Sequence, residues 1–521
     1  HVCACCGSTG RRNGLGIRPH GVTGLALCGS YGLGTESIQT IHGELNWLLH
    51  PTKSGFSVFG FCPAGSTTEC TLCRSGCTFP PMNVWKTSGV MWGMLFLGGS
   101  QALGQWAMLS AYSSQDIQAY AQTNLGFDEV MLAMLAHDVS MRRLSYDMPF
   151  LGEDASVSGA VFVPDEPNEE LPVLVYHHGT TFKRQAAPSF KDDLSNLGFA
   201  MASLGFLVLM PDYVGLGEST LQHPYCHAAS ESEAGWSMVE RVGELVWDLD
   251  VSLNGNLYVM GYSQGGHGAM AMARASAPES LEGELSLKAA APLSGPYDML
   301  GRQLPWILDS PNYSQPSYIF YLMQGWNSIY GTLFESFSDV CVAPYDELLS
   351  DMLDGEHSGE AINDICPEDW TTMLLPGVLE AMTEPGSPLL VAAEANDVHD
   401  WSPAMPIHMR YCTEDEEVVF TNATSAYEAM TAAGAPNVQA YNLGAFNHND
   451  CALSAIASSV LWFLSLDANT NGVAHHQTSP CSEWETFDAL GRHCPATEGA
   501  QGLHFKRCLQ TGRVESWFEC R

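Results

Sequence analysis

Positive charge is scarce in this chain. Lysine and arginine together number 21 against 58 aspartates and glutamates, for a formal net charge of −37. Between Arg302 and Arg410 there is no lysine or arginine at all, while 17 acidic residues occur. A polyanionic surface repels phosphate backbones, which argues against nucleic acid as a partner. Such a surface suits a saline medium, where screening acts over roughly 10 Å or less, and it serves plain solubility equally well. Charge of either sign is modest overall, at 15% of residues against 45% hydrophobic, so the composition lacks the low-hydrophobicity, high-charge signature of disorder and most of the chain is expected to fold. The apolar run Val90 to Gly99 is too short to span a bilayer, so no stable membrane insertion is expected from it.

What the chain has in quantity is cysteine. Seventeen do not suit a reducing cytosol. Eight precede residue 80, four follow residue 480 and five lie between. Residues 1–81 are Gly- and Cys-rich and show no sustained period of 3.6 or 2. Cys70 and Cys73, with Cys62 and Cys77 near, have no second ligand pair at finger-like spacing, so no metal is expected. Met82-Asn83-Val84-Trp85-Lys86, the apolar run and the small residues Ser100 to Gly104 have the layout of an export signal over 82–104. The simplest account of a signal in that place is that 1–81 is translated sequence upstream of a start at Met82; the alternative is a Cys-rich module. A polar linker opens at Ala468, and the tail to 521, with Cys481, Cys494, Cys508 and Cys520, shows no chemistry.

Residues 105–467 read as one α/β domain. Strand-like runs appear at Val139–Tyr146, Ser156–Val163, Val173–His177, Phe206–Met210, Leu257–Tyr262, Ala289–Leu293 and Ile407–Cys412, several of them continuously apolar as in parallel strands covered on both faces. Helical stretches such as Ser189–Leu204 and Glu231–Leu253 alternate with them, which implies a mostly parallel sheet. The exception runs from Asp298 to Pro406 without a convincing strand and is rich in large apolar residues. A structureless loop of that length is implausible, so 299–404 reads as a helical cap inserted before the penultimate strand.

The strongest chemical signal is Gly261-Tyr262-Ser263-Gln264-Gly265-Gly266, straight after an apolar strand and ahead of the helix-forming stretch His267–Ala275. A serine at such a strand-to-helix turn is strained and exposed, and side chains at the flanking glycines would collide across the turn. The helix N-terminus places positive dipole ends beneath a developing oxyanion. A serine hydroxyl needs a base to take its proton and an acid to hold that base, and behind this kind of elbow they follow in the order acid, then histidine. Asp415, in the loop after Ile407–Tyr411, is the expected acid, with Glu414, Glu416 and Glu417 as solvated-loop alternatives and Asp397 or Asp400 as weaker ones. His448, in a loop between a last short strand at Tyr441–Leu443 and a last helix Ala452–Leu464, is the expected base. His267 follows the elbow too closely to reach around to the serine.

Leu171 to Thr181 is a strand opening into His177-His178-Gly179, where the backbone N–H groups of Thr180 and Gln264 are expected to form the oxyanion hole, with Thr181 or Phe182 as alternatives for the first. Thr181, Phe182 and Tyr262 are expected to contact substrate. The competing account is a buried strand end with incidental histidines.

Pro211-Asp212-Tyr213-Val214-Gly215-Leu216-Gly217-Glu218-Ser219, His223-Pro224-Tyr225 and the Gly261–His267 stretch together resemble secreted bacterial α/β-hydrolases akin to the secretory lipases, over roughly residues 139–465. The resemblance implies the α/β-hydrolase fold and a secreted carboxylic-ester hydrolase, an esterase or lipase without metal or organic cofactor, acting through an acyl-enzyme. Its motifs are loose on substrate: a polyester presents the same carbonyl, and a serine peptidase or acyltransferase uses the same parts. A large aromatic cap favours enclosed acyl chains over a solid polymer, although caps move.

Among the five central cysteines, Cys412 lies three residues before Asp415 and Cys451 three after His448. If those loops are neighbours, the two should pair, within the 4.4–6.8 Å or so between Cα atoms that a disulfide requires. Cys341 and Cys366, 25 residues apart in the cap, are the second expected bridge, leaving Cys226 as the free thiol.

Overall fold

The computed structural model describes residues 105–470, apart from positions within 166–169, 242–250 and 279–283, and five strands outside that range. Two of these, β1 (Trp47–Thr52) and β2 (Gly55–Gly60), form an antiparallel hairpin in an N-terminal unit, His1–Leu95. The other three, β12 (Trp484–Asp488), β13 (Gly502–Cys508) and β14 (Val514–Glu519), form a small antiparallel sheet in the tail. The expected export signal and the cysteine cluster at 62–77 lie outside the described residues.

The central sheet has nine strands: β3 (Gln105–Tyr112), β4 (Val139–Phe150), β5 (Glu153–Pro164), β6 (Leu171–His177), β7 (Leu207–Pro211), β8 (Leu253–Tyr262), β9 (Ser286–Leu293), β10 (Ile407–Tyr411) and β11 (Val438–Asn442). Their spatial order is β11-β10-β9-β8-β6-β7-β5-β4-β3. From β7 to β11 neighbours run parallel, and β5, β4 and β3 extend that edge antiparallel.

Both faces of the sheet are covered, which is why β6 and β7 are buried at every position and mostly apolar, with His177 closing β6. The period of two sorts each strand between two cores. Val173, Val175, Leu207, Leu209, Leu257 and Val259 join the helices Ala228–Glu240 and Gln264–Arg274 on one face. Leu174, Tyr176, Val208, Met210, Tyr258 and Met260 meet the C-terminal helix His448–Thr470 on the other. Most of that helix, His448–Asp467, is long and apolar enough to cross a membrane, with mean hydropathy 1.3. Here its Ala455, Val460 and Phe463 side chains are buried against the sheet.

The cap lies between β9 and β10, as expected from its composition. Its longest helix is Pro316–Tyr330, and it has a core of its own around Phe320, Trp326 and Trp370, all fully buried. Its only extended pairing among the described residues is one isolated bridge, Cys341 to Leu374.

Three expectations need correction. The helix expected over Ser189–Leu204 begins only at Gly198. Upstream, Asp212 takes both the backbone N–H and the hydroxyl of Ser189, and the Asn196 amide donates to the carbonyls of Pro188 and Lys191; these side-chain bonds replace helical ones. The last helix starts at His448 rather than Ala452 and runs on to Thr470, through the start of the expected linker. Asn447 sets its start, because its side-chain oxygen accepts the Asp450 N–H at 2.8 Å. Finally, Cys341 and Cys366 are not bridged: both are free, as is Cys226. The Cys366 thiol turns back onto the Ile362 carbonyl of the helix Gly359–Asn363 at 3.3 Å, while Cys341 is buried beside Leu374.

Candidate active site

Ser263 sits between the end of β8 and the helix Gln264–Arg274, with φ 61° and ψ −123°. Strain of this kind persists only where the surroundings impose it, and the glycines show how tightly they do. A Cβ on Gly265 would lie 1.9 Å from the His177 carbonyl oxygen, and one on Gly261 would lie 2.2 Å from that of Gly265. Strand β6 and the elbow therefore touch backbone to backbone, which only glycine permits.

That contact brings the loop after β6 to the serine. A Cβ on Gly179 would stand 3.8 Å from the Ser263 Cβ. Among the described residues, neither the Thr180 N–H nor the Gln264 N–H donates a hydrogen bond to another protein group. The two histidines before this loop are structural. His177 is enclosed by Tyr213 and Met272, and burial pushes it down to about 3; His178 has the Gly179 carbonyl 2.7 Å from Nδ1 and the Asp212 carbonyl 3.3 Å from Nε2, of which a neutral ring donates to one, and burial lowers it to about 4. The histidines are thus buried at the strand end, as the competing account had it, and they support the loop that stands beside the serine.

His448 opens the C-terminal helix and Asp415 lies in the loop after β10. The His448 Nδ1–H donates across both Asp415 oxygens, at 2.9 and 2.8 Å. Asp415 also accepts the backbone N–H groups of Glu417 and Val418, so its carboxylate is held from two sides. The disulfide Cys412–Cys451, with Cα atoms 6.1 Å apart, ties the two loops together. Tyr262 donates to the His448 carbonyl at 2.6 Å and lays its ring against the imidazole. Asp397 lies elsewhere, accepting from Leu300.

The remaining acids of the loop do not behave alike. Glu414 is exposed. Glu416 accepts the backbone N–H of His448 at 3.0 Å. Glu417, expected to be solvated, is buried and stands 3.7 Å from Nε2, the nitrogen that would serve the serine. Cap residues hold it there: Gln315 and Tyr318 donate to its carboxylate, and Gln303 and Tyr313 to its carbonyl. Burial pushes the Glu417 carboxyl above its ordinary value, while His448 draws it back. For His448, burial opposes the cation, but the hydrogen bond and charge of Asp415 and the carboxylates of Glu417 and Glu416 outweigh it, so the imidazole sits above its ordinary value. Among the described residues the Ser263 hydroxyl has no hydrogen-bond partner, and Nε2 faces Glu417.

Beneath the elbow is a buried polar chain whose members are too far apart in sequence for any local pattern to mark them. The Gln264 amide donates to His223 Nε2 and to Glu231 Oε1, both at 2.9 Å. Glu231 meets His267 Nδ1 at 2.6 Å, and His267 Nε2 donates to the Asn396 carbonyl. The chain pins the start of the elbow helix to the cap. Its His223 belongs to the His223-Pro224-Tyr225 motif. Cys226, Glu231 and His267 lie close enough to offer a cation three ligands, but Glu231 and His267 are already engaged with each other.

Ser263 and His448 line one cavity of about 660 Å³, together with Thr180, Thr181, Phe182 and Tyr262. A second, of about 40 Å³, opens from Ser263 toward the cap and is also lined by Gln264.

No family model matches the chain, and no curated protein matches it in sequence. Solved structures do match in shape. A protein from Legionella pneumophila superposes with a TM-score of 0.63 at 21% identity, covering 72% of this chain and 99% of its own. The rice cell wall degrading esterase LipA from Xanthomonas oryzae gives 0.60 at 24% identity, covering 71% and 98%. The chain has the α/β-hydrolase fold. Candida antarctica lipase A in its closed state shares it more distantly, with a TM-score of 0.52 and 15% identity over 70% of this chain and 81% of that one. In the α/β-hydrolase fold the nucleophile follows a central strand, and β8 is central here.

Proposed function

We propose that this protein is a secreted serine carboxylic-ester hydrolase in which Ser263 is the nucleophile, His448 the general base and acid, and Asp415 the residue that orients it. The observation that carries the proposal is a strained serine sharing one cavity with a histidine whose other nitrogen is held by a buried carboxylate. Ser263 Oγ attacks the ester carbonyl as its proton passes to His448 Nε2. The N–H groups of Thr180 and Gln264 take the oxyanion, each contributing about 2.7–4 kcal/mol to the transition state. Nε2–H then protonates the departing alkoxide, and water repeats the sequence on the acyl-enzyme. Asp415 keeps the proton on Nδ1 and stabilises the imidazolium. The Cys412–Cys451 bridge is consistent with an oxidising compartment. Esterase and lipase neighbours favour ester substrates over peptides.

The test is covalent. A fluorophosphonate should label the full chain at Ser263 alone, and Ser263→Ala should lose both labelling and turnover of p-nitrophenyl butyrate by several orders of magnitude. Labelling at another residue, or faster turnover of an aminoacyl anilide than of the ester, would refute the proposal.

A further inference from the structure

We propose that the two cavities divide the substrate: the small one on the cap side takes the acyl group and admits only short chains, and the large one takes the alcohol. This rests on the esterase reading above. Ser263, Tyr318 and Glu417 line both cavities, so the two meet at the nucleophile. His448 lines only the larger. In acylation the Ser263 Oγ–carbonyl bond forms, the bond from the carbonyl carbon to the alkoxy oxygen breaks, and the serine proton leaves on the alcohol by way of Nε2. The alkoxy oxygen must therefore lie on the His448 side, which puts the alcohol in the large cavity and directs the acyl group away, into the small one.

Size then sets the substrate. A water-sized group needs about 10–15 Å³ of such volume, and the small cavity offers about 40 Å³, room for about three groups beyond the carbonyl carbon. Acetyl to butyryl groups fit. Met299, Leu304, Ile307, Ile319 and Leu322 form its apolar wall and are all buried in the cap core, so a longer chain meets close-packed side chains rather than solvent. The large cavity has a mixed wall that includes Lys183, Lys191, Asn196 and Ser358. Neither lysine is ion-paired among the described residues, and this wall suits a bulky polar alcohol better than a second acyl chain.

Two isomeric alkyl esters test the assignment on the full chain. Benzyl acetate carries its ring on the alcohol and methyl phenylacetate carries it on the acyl side. We expect kcat/KM for benzyl acetate to be at least tenfold higher, and in a p-nitrophenyl series a drop of at least tenfold from butanoate to octanoate. Ile307→Ala and Leu322→Ala should raise the octanoate-to-acetate ratio at least tenfold. Equal rates for the two isomers, a preference for methyl phenylacetate, or a wild-type optimum at octanoate overturns the assignment even if neither variant folds. Those results leave the esterase reading intact as long as turnover vanishes in Ser263→Ala. Absence of turnover on every ester, or turnover that survives Ser263→Ala, overturns the esterase reading instead.

Discussion

Replacing Glu417 by glutamine tests the least anticipated contact in the site. Its carboxylate lies 3.7 Å from His448 Nε2. At an effective dielectric near 20, unit charges at that separation interact by about 4 kcal/mol, and about 1.36 kcal/mol corresponds to one pKa unit. The full figure overstates the effect, because burial raises Glu417 itself and keeps part of its population neutral. About one unit is the reasonable expectation, at the lower end of what a neighbouring opposite charge produces. The groups facing the imidazole are Asp415 on Nδ1, Glu416 on its backbone N–H, Glu417 on Nε2 and the Tyr262 ring. The carboxylates stabilise the imidazolium, and catalysis needs the neutral base, so kcat/KM rises with pH through the raised His448 value. Removing the Glu417 charge lowers that value. The acid limb of the kcat/KM profile should therefore move about one pH unit lower, with a gain in activity on that limb. Glutamine keeps the shape and can still bond Gln315 and Tyr318. An acid limb that stays in place, or moves to higher pH, refutes the reasoning.

Asp415→Asn should lower kcat about 10⁴-fold by stabilising the wrong tautomer, as read by p-nitrophenyl acetate turnover; near-full activity would show that Glu416 or Glu417 orients the base instead. The double change Cys412→Ser/Cys451→Ser opens a loop with a separation of 39 residues and should cost about 4 kcal/mol in the chain-entropy description, measured by urea denaturation under non-reducing conditions. A loss below about 1 kcal/mol would remove the bridge from the account of stability. Gly265→Ala forces a Cβ to within 1.9 Å of the His177 carbonyl. It should destabilise the fold by more than about 4 kcal/mol, and a thermal midpoint within about 2 °C of wild type would show that the elbow can give way.

The sequence by itself determined the parts of this protein that depend on neighbours in the chain. The runs at Val173–Tyr176 and Phe206–Met210 are apolar at successive positions because both sheet faces are covered, so their pattern alone marks buried parallel strands. The elbow is legible because its turn demands glycine at fixed offsets from Ser263, and Asp415 and His448 because they follow particular strands in order. Cys412 and Cys451 were legible through the same order, each lying three residues from a proposed triad residue. Only the tertiary structure decided the contacts between segments far apart in sequence. Composition marks the cap as buried but not which of its side chains reach the acid loop, so nothing local distinguished Glu417, clamped by Gln315 and Tyr318 some 100 residues away, from the exposed Glu414. The same limit accounts for Cys341 and Cys366, whose spacing permits a bridge that the direction of the Cys366 side chain denies. It also accounts for the sizes of the two cavities, which are set by how closely the cap settles over Ser263. Spacing along a chain bounds what can meet, and packing selects which of those meetings occur.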